Sequence, residues 1–286
     1  MKRHIAIGLL MAAIPALAQK PVIADGGVLN AASFAKDAAG HGTATAPGSL
    51  VAIFGTFNAT TVAAADTIPY STSLGGVSVT INGQNAPLQN VEFTGAFPFI
   101  TAQVPFGVLG NQLSGNMNVV VTVNQTPSDP KTMPFATFAP GIFTIPANGQ
   151  GNAVMVMTDG NNVGKIAAPN AAAVLNYPAA PIQVGGRAFF YATGLGVLTP
   201  AIMEGMGGLE GASSPGFVPS QVNPYPTVTI GGVPAKVEYA GVSGYPGVYQ
   251  INIVMPSGVP SGGSVPVVIK SADGSVVSNT GTIAVQ

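Results

Sequence analysis

Two histidines, ten carboxylate side chains and no cysteine are what this 286-residue chain offers for acid–base, nucleophilic or thiolate chemistry. His4 lies in an apolar N-terminal run and His41 in a glycine-rich loop. A Ser-His-Asp site would have to bring both a nucleophile and an orienting carboxylate to that loop, so His41 reads as a solvated loop histidine. A histidine-ligated metal lacks ligands. Without cysteine there is no thiolate zinc, iron–sulfur cluster, Cys nucleophile or disulfide. Glu92 and Glu238 occupy matched places in an internal repeat, and paired carboxylates can hydrolyse glycosides. Each alternates with apolar neighbours (Val91 and Phe93; Val237 and Tyr239), the pattern of an outward charge on a half-solvated sheet. Asp159-Gly160-Asn161-Asn162 offers one carboxylate where a calcium loop needs several, and it reads as a hairpin turn. Asp273-Gly274-Ser275 reads the same way. No glycine pattern suits a nucleotide. The expectation is no catalytic residue, no metal site and no cofactor.

Recognition chemistry is better served. Tryptophan is absent, but four of the seven tyrosines (Tyr225, Tyr239, Tyr245 and Tyr249) cluster in one region. Tyr239 and Tyr249 share the phase of apolar strand residues and belong to a core. Tyr225 and Tyr245 stand beside prolines in loops. Phe97-Pro98 and Tyr245-Pro246 fall at the same corner of the two repeat copies, where proline holds the preceding residue extended. Phe97, Tyr225 and Tyr245 are therefore the candidate contact residues. The competing account is that the corner rings fold back to cap their own module. With only nine Lys and Arg and a net charge of −1, no basic footprint for nucleic acid or anionic lipid exists.

The elements that would position these residues come from one unit used twice. Leu74 to Pro105 and Pro226 to Pro256 each run as an alternating strand, a two-residue turn, a second strand, an aromatic-Pro corner and a strand stopped by proline. The turns, Asn82-Gly83 and Gly231-Gly232, suit the positive φ of tight hairpins. Val119, Val121 and Val123 alternate as Val265, Val267 and Ile269 do. Leu50 to Gly55 and Ala188 to Gly194 are the matching apolar strands that open the copies. Short strands with frequent turns, 38 glycines and 25 prolines describe β-sandwiches. Lys2 and Arg3, the apolar run Ile5 to Leu17 and the small-x-small Ala16-Leu17-Ala18 form a secretory signal, with Gln19 first in the mature chain. No run approaches the ~20 apolar residues of a membrane helix. The expected organisation is a signal peptide at 1–18, a first module at 19–146, a connector with its own hairpin at 147–183 and a second module at 184–286.

VLNAASF, APGSLVAIFGT, LGGVSVTINGQNAP, the Pro-Gly-Ile-Phe closure, FYATGLG and YQINIVMPSGV together resemble a Solibacter-type C-terminal domain family of secreted bacterial proteins. Each half also resembles an IPT/TIG module. The resemblance covers roughly residues 26 to 286 and carries no catalytic residues. It implies two tandem immunoglobulin-like β-sandwiches, export to the periplasm or the outside, and an interaction role. The functional expectation is a non-catalytic binding or adhesion protein whose partner is a protein or a cell-surface polysaccharide. A structural subunit of a surface layer or fibre is the alternative.

Overall fold

The computed structural model describes residues 19–169, 177–208 and 218–286. The expected signal segment at 1–18 lies outside the described residues. What is described is all β, with one short 3-10 turn at Gly160–Asn162, and it forms two tandem immunoglobulin-like sandwiches.

The first sandwich uses β1 (Val22–Asn30), β2 (Leu50–Thr56), β3 (Val62–Ala64), β4 (Val77–Ile81), β5 (Leu88–Glu92), β6 (Phe99–Gln103), β7 (Ser114–Val123) and β8 (Lys131–Ala136). One sheet has the order β1-β2-β6-β5-β3; the other is built on β8-β7-β4. The alternation of β4 fixes its register: Val77, Val79 and Ile81 point inward, and Ser78 and Thr80 do not. Their partners Val123, Val121 and Val119 face the same core. Ile100, Val91, Val51 and Ile53 close it from the opposite sheet.

The second sandwich repeats this with β9 (Met155–Met157), β10 (Arg187–Thr193), β11 (Thr227–Ile230), β12 (Val233–Val242), β13 (Tyr249–Val254), β14 (Gly262–Lys270) and β15 (Gly281–Val285). Val228, Ile230, Ile251 and Val267 are fully buried here, as Val79, Ile81, Ile100 and Val121 are in the first copy. Strand β12 crosses between the sheets. Val233 to Ala235 pair with β11, and Lys236 to Val242 pair with β13 across a bulge at Glu238. In the first copy the same crossing is broken in two. Gln84–Asn85 pairs with β4 and Leu88–Glu92 with β6, with Ala86-Pro87 between.

The stretch 147–183, read from sequence as a connector, does not stand apart from the second sandwich. Met155–Met157 pairs with β10, Asn152–Ala153 runs beside β15, and Ile166–Ala167 pairs with Met155–Met157. Even Gly141–Ile142 already pairs with β10. These two- and three-residue edge strands are too short to show a period, so their Ala, Pro and Asn content resembles a linker.

Candidate functional site

Strand β2 is buried on both faces, which is why its sequence is nearly continuous in apolar residues. Val51 and Ile53 face the first core, leaving Leu50, Ala52 and Phe54 on the outer face of the sheet. Across from them on β6 stand Gln103, Thr101 and Phe99 respectively. The central Ala52–Thr101 pair is small and the pairs either side are large, so the outer face is dented there. The dent belongs to a groove of about 480 Å³. Phe34, Phe54, Phe97, Phe99 and Phe143, from separate strands and loops, line it.

Three local devices fix those rings. Phe34 sits in the left-handed region at φ 51°, a conformation that a bulky residue enters only under constraint. The constraint is Asn30, which is fully buried. Its side-chain Oδ1 accepts from the N–H groups of Ala32 (3.0 Å) and Ser33 (3.1 Å), and its backbone carbonyl accepts from Phe34 N–H at 2.9 Å. Its Nδ2 donates to the Ala139 carbonyl at 3.1 Å, anchoring the chain as it leaves the first module. A Cβ at Gly141 would lie 2.4 Å from Asn30 Oδ1, so that position must be glycine. Phe54 then bridges the aromatic row, its ring centroid 6.4 Å from Phe34 and 5.9 Å from Phe99.

Phe97 stands on the rim, 79% exposed. Its loop is nevertheless held. Glu92 Oε1 accepts from Thr94 Oγ1 (2.6 Å), Thr94 N–H (2.8 Å) and Gly95 N–H (3.2 Å). The Thr94 hydroxyl first, and the two amides with it, hold the Glu92 carboxyl below its ordinary range. Glu92 is thus the clamp of the Phe97 loop, a role that its alternation with Val91 and Phe93 did not announce. Its counterpart Glu238 instead accepts from Lys236 Nζ at 3.0 Å and Arg187 Nε at 3.3 Å.

Of the other two candidate contacts, Tyr245 is exposed on the corresponding corner of the second module. There it meets Tyr191 edge-on at 6.2 Å, away from the groove. Tyr225 differs from the expectation of a free loop ring. It is half-buried against the second core, and its phenol donates to Gln221 Oε1. Gln221 is itself bridged to Thr199 and Gly241, which pulls the ring down. Tyr239 is half-buried, donating to the Val242 carbonyl at 2.8 Å, and burial pushes its phenol up to about 12. Tyr249 is fully enclosed.

Several titratable groups outside the groove are engaged in local contacts. A cleft of about 490 Å³ holds Asp25, Asp37, His41 and Lys131. Asp25 pairs with Lys131, and Asp37 accepts from the backbone of Ala39 and His41 while standing 3.6 Å from the imidazole. The one hydroxyl lining the cleft, Thr132, donates to Asn118. Asn162 accepts from Lys165 in the Asp159 turn, and Asp273 is held at about 2 by Ser271 and Ser275. Among the described residues no group of three His, Cys, Asp or Glu side chains is placed to hold a metal.

Tandem immunoglobulin-like sandwiches carrying one apolar groove define the class of protein to which this geometry belongs. No family model matches the chain, and no curated protein does. Among solved structures, it aligns with SGBP-B of the Bacteroides ovatus mixed-linkage glucan utilization locus, solved in complex with a mixed-linkage heptasaccharide. The identity is 13% over 95% of this chain and 46% of that one, with a TM-score of 0.24; this chain thus spans less than half of that protein. The D00-D0 domain of intimin aligns at 13% identity over 86% of this chain and 96% of its own, with a TM-score of 0.19.

Proposed function

We propose that this is an exported, non-catalytic binding protein of the adhesion type, and that the phenylalanine groove takes a neutral, apolar protein surface. Within this reading the chain belongs with the Solibacter-type C-terminal domain proteins. The observation that carries the reading is the convergence of five phenyl rings, one of them on a clamped and exposed loop. A polysaccharide needs hydroxyl partners beside each stacked ring. Here the polar lining is only Gln89, Glu92 and Thr101, and the Glu92 carboxylate is engaged by its own loop. Rigid aromatics lose little conformational entropy on binding, which favours them at recognition surfaces.

Retention of the labelled mature protein on envelopes of the producing cell tests this. Phe97→Ala, at a residue that supports no core, should reduce retention roughly tenfold or more, as loss of an aromatic anchor does. Tyr245→Ala should leave it unchanged. Wild-type retention by Phe97→Ala would sink the proposal.

A further inference from the structure

We infer that residues 200–208 form a strap across the seam between the two sandwiches, latched by a proton on Glu204. With that carboxyl neutral the strap lies against the first module; with it ionised the strap lifts away. The device stands apart from the phenylalanine groove.

Both ends of the strap belong to the second module. At one end Thr199 and Gln221 exchange backbone hydrogen bonds of 2.8 and 3.0 Å. At the other, Gly208 N–H donates to the Ser243 carbonyl at 2.8 Å. The middle crosses to the first module, where two consecutive residues make the hydrogen bonds. Glu204 Oε1 accepts from Phe106 N–H at 2.7 Å, and Gly205 N–H donates to Gln103 Oε1 at 2.7 Å. Gly205 O accepts from Tyr70 N–H at 2.9 Å. Gly205 sits at φ 72°, and a Cβ there would fall 2.8 Å from the Tyr70 carbonyl oxygen, so the strap beds directly on backbone. A segment pinned at both ends and fastened in its middle by a few bonds opens locally, without unfolding either sandwich.

Glu204 is the weak fastening. Its Oε2 is buried without a hydrogen-bond partner among the described residues. No lysine, arginine or histidine among them pairs with it. From the second module it faces the Tyr249 phenol, which donates instead to the Gly196 carbonyl at 2.5 Å. The small seam cavity lined by the strap residues Ile202 and Met206 adds only the phenol of Tyr245, and the first module brings Tyr70 against Gly205. Neither form of a phenol neutralises a carboxylate. Such surroundings tolerate a neutral carboxyl far better than an unpaired anion.

Burial accordingly raises the Glu204 carboxyl above 4.5, with the Phe106 amide opposing. Lifting the strap returns the group to water and to its ordinary value. The opening equilibrium therefore grows about tenfold per pH unit from 4.5 to the raised value, and is level beyond it. Thr193, whose bonds to Leu50 and Gly247 involve no strap residue, still joins the modules when the strap is open.

Residue-resolved hydrogen exchange against pH tests the latch. Base-catalysed exchange itself quickens about tenfold per pH unit, so an amide released by a fixed opening shows a logarithmic slope of about one. Above pH 4.5 the wild-type amides of Tyr70, Phe106 and Gly205 should instead rise with a slope of about two, returning to one beyond the raised value. Glu204→Gln, which keeps the shape and cannot ionise, should give a slope of about one at all three. The Leu50 amide, on the Thr193 stitch, should keep a slope of about one in both proteins. A wild-type slope of one at Phe106 and Gly205 overturns the inference, and so does a slope of two that survives Glu204→Gln. A steep Leu50 amide overturns it as well, because the seam would then part as a whole and no separate strap would exist.

Discussion

Glu204 carries a carboxyl into the seam between the two sandwiches. Its Oε1 accepts from Phe106 N–H at 2.7 Å, while its Oε2 is buried without a partner. Burial raises its pKa above the ordinary 4.5, with the Phe106 amide opposing. The folded chain therefore keeps this proton to higher pH than the unfolded chain. Its contribution to stability is complete below 4.5 and is lost as pH rises through the raised value. Exposed carboxylates such as Asp25 and Glu238, held low by lysine and arginine, act in the opposite sense at lower pH. Comparing variants isolates Glu204. Glu204→Gln should remove the fall in melting temperature above pH 4.5 that the wild type shows relative to it. Parallel melting curves across that range would show that the buried oxygen finds a partner in solution. At this scale the sequence was partly legible. Phe97 announces itself through its proline. Phe54 and Phe99 do not, because an apolar run covered on both faces looks the same whether its second face meets a core or a groove. Phe34 does not either, since its left-handed φ depends on the hydrogen bond that its N–H donates to the carbonyl of Asn30, four positions back.

Among the elements, the repeated unit was legible because a period of two places every apolar residue of β4 and β11 on one side. Val79 and Val228 are buried for the same reason, at equivalent depths. The strand crossing between sheets was not legible. Val233-Pro234-Ala235 continues through a bulge, whereas Asn85-Ala86-Pro87 breaks, and neither sequence distinguishes a crossing from a turn. The two-residue edge strands Gly141–Ile142, Asn152–Ala153 and Ala179–Ala180 were hidden by their length. Central strands carry the energy of both sandwiches, and β13 sits between β10 and β12. Ile251 lies on it, fully enclosed. Ile251→Ala should cost about 2–5 kcal/mol in chemical denaturation, the range for a truncated core isoleucine. A loss under about 1 kcal/mol would mean that the site collapses to fill the cavity.

For the molecule as a whole, the decisive feature is how the two sandwiches are sealed. The loop from the second module that carries Glu204 reaches the first at two further points. Gly205 N–H donates to Gln103 Oε1 at 2.7 Å, and Gly205 O accepts from Tyr70 N–H at 2.9 Å. Nearby, a Cβ on Gly48 would fall 2.2 Å from the Phe106 ring and 2.8 Å from the Tyr249 hydroxyl, so the seam closes on a bare backbone. The tightest stitch is Thr193, wholly buried at the end of β10. Its Oγ1 accepts from Leu50 N–H of the first module at 2.8 Å and donates to the Gly247 carbonyl of the second at 2.7 Å. One hydroxyl thus satisfies a strand amide in one sandwich and a loop carbonyl in the other. Such a seam makes the modules unfold together, and the wild type should melt in calorimetry as one transition with matching calorimetric and van't Hoff enthalpies. Thr193→Val keeps the shape and deletes both bonds, leaving the buried Leu50 amide unpaired at about 1–3 kcal/mol. Because that loss falls on the coupling between modules, the single transition should widen or split in two. Equal destabilisation with an unbroken single transition would show that the loop at 202–208 holds the modules together without Thr193. Two transitions already present in the wild type would show that the seam does not couple the sandwiches at all. Either sandwich would then be free to tilt, and the groove would change shape with it, because Phe143 closes it from beyond the Asn30 anchor while the other four rings come from the first module.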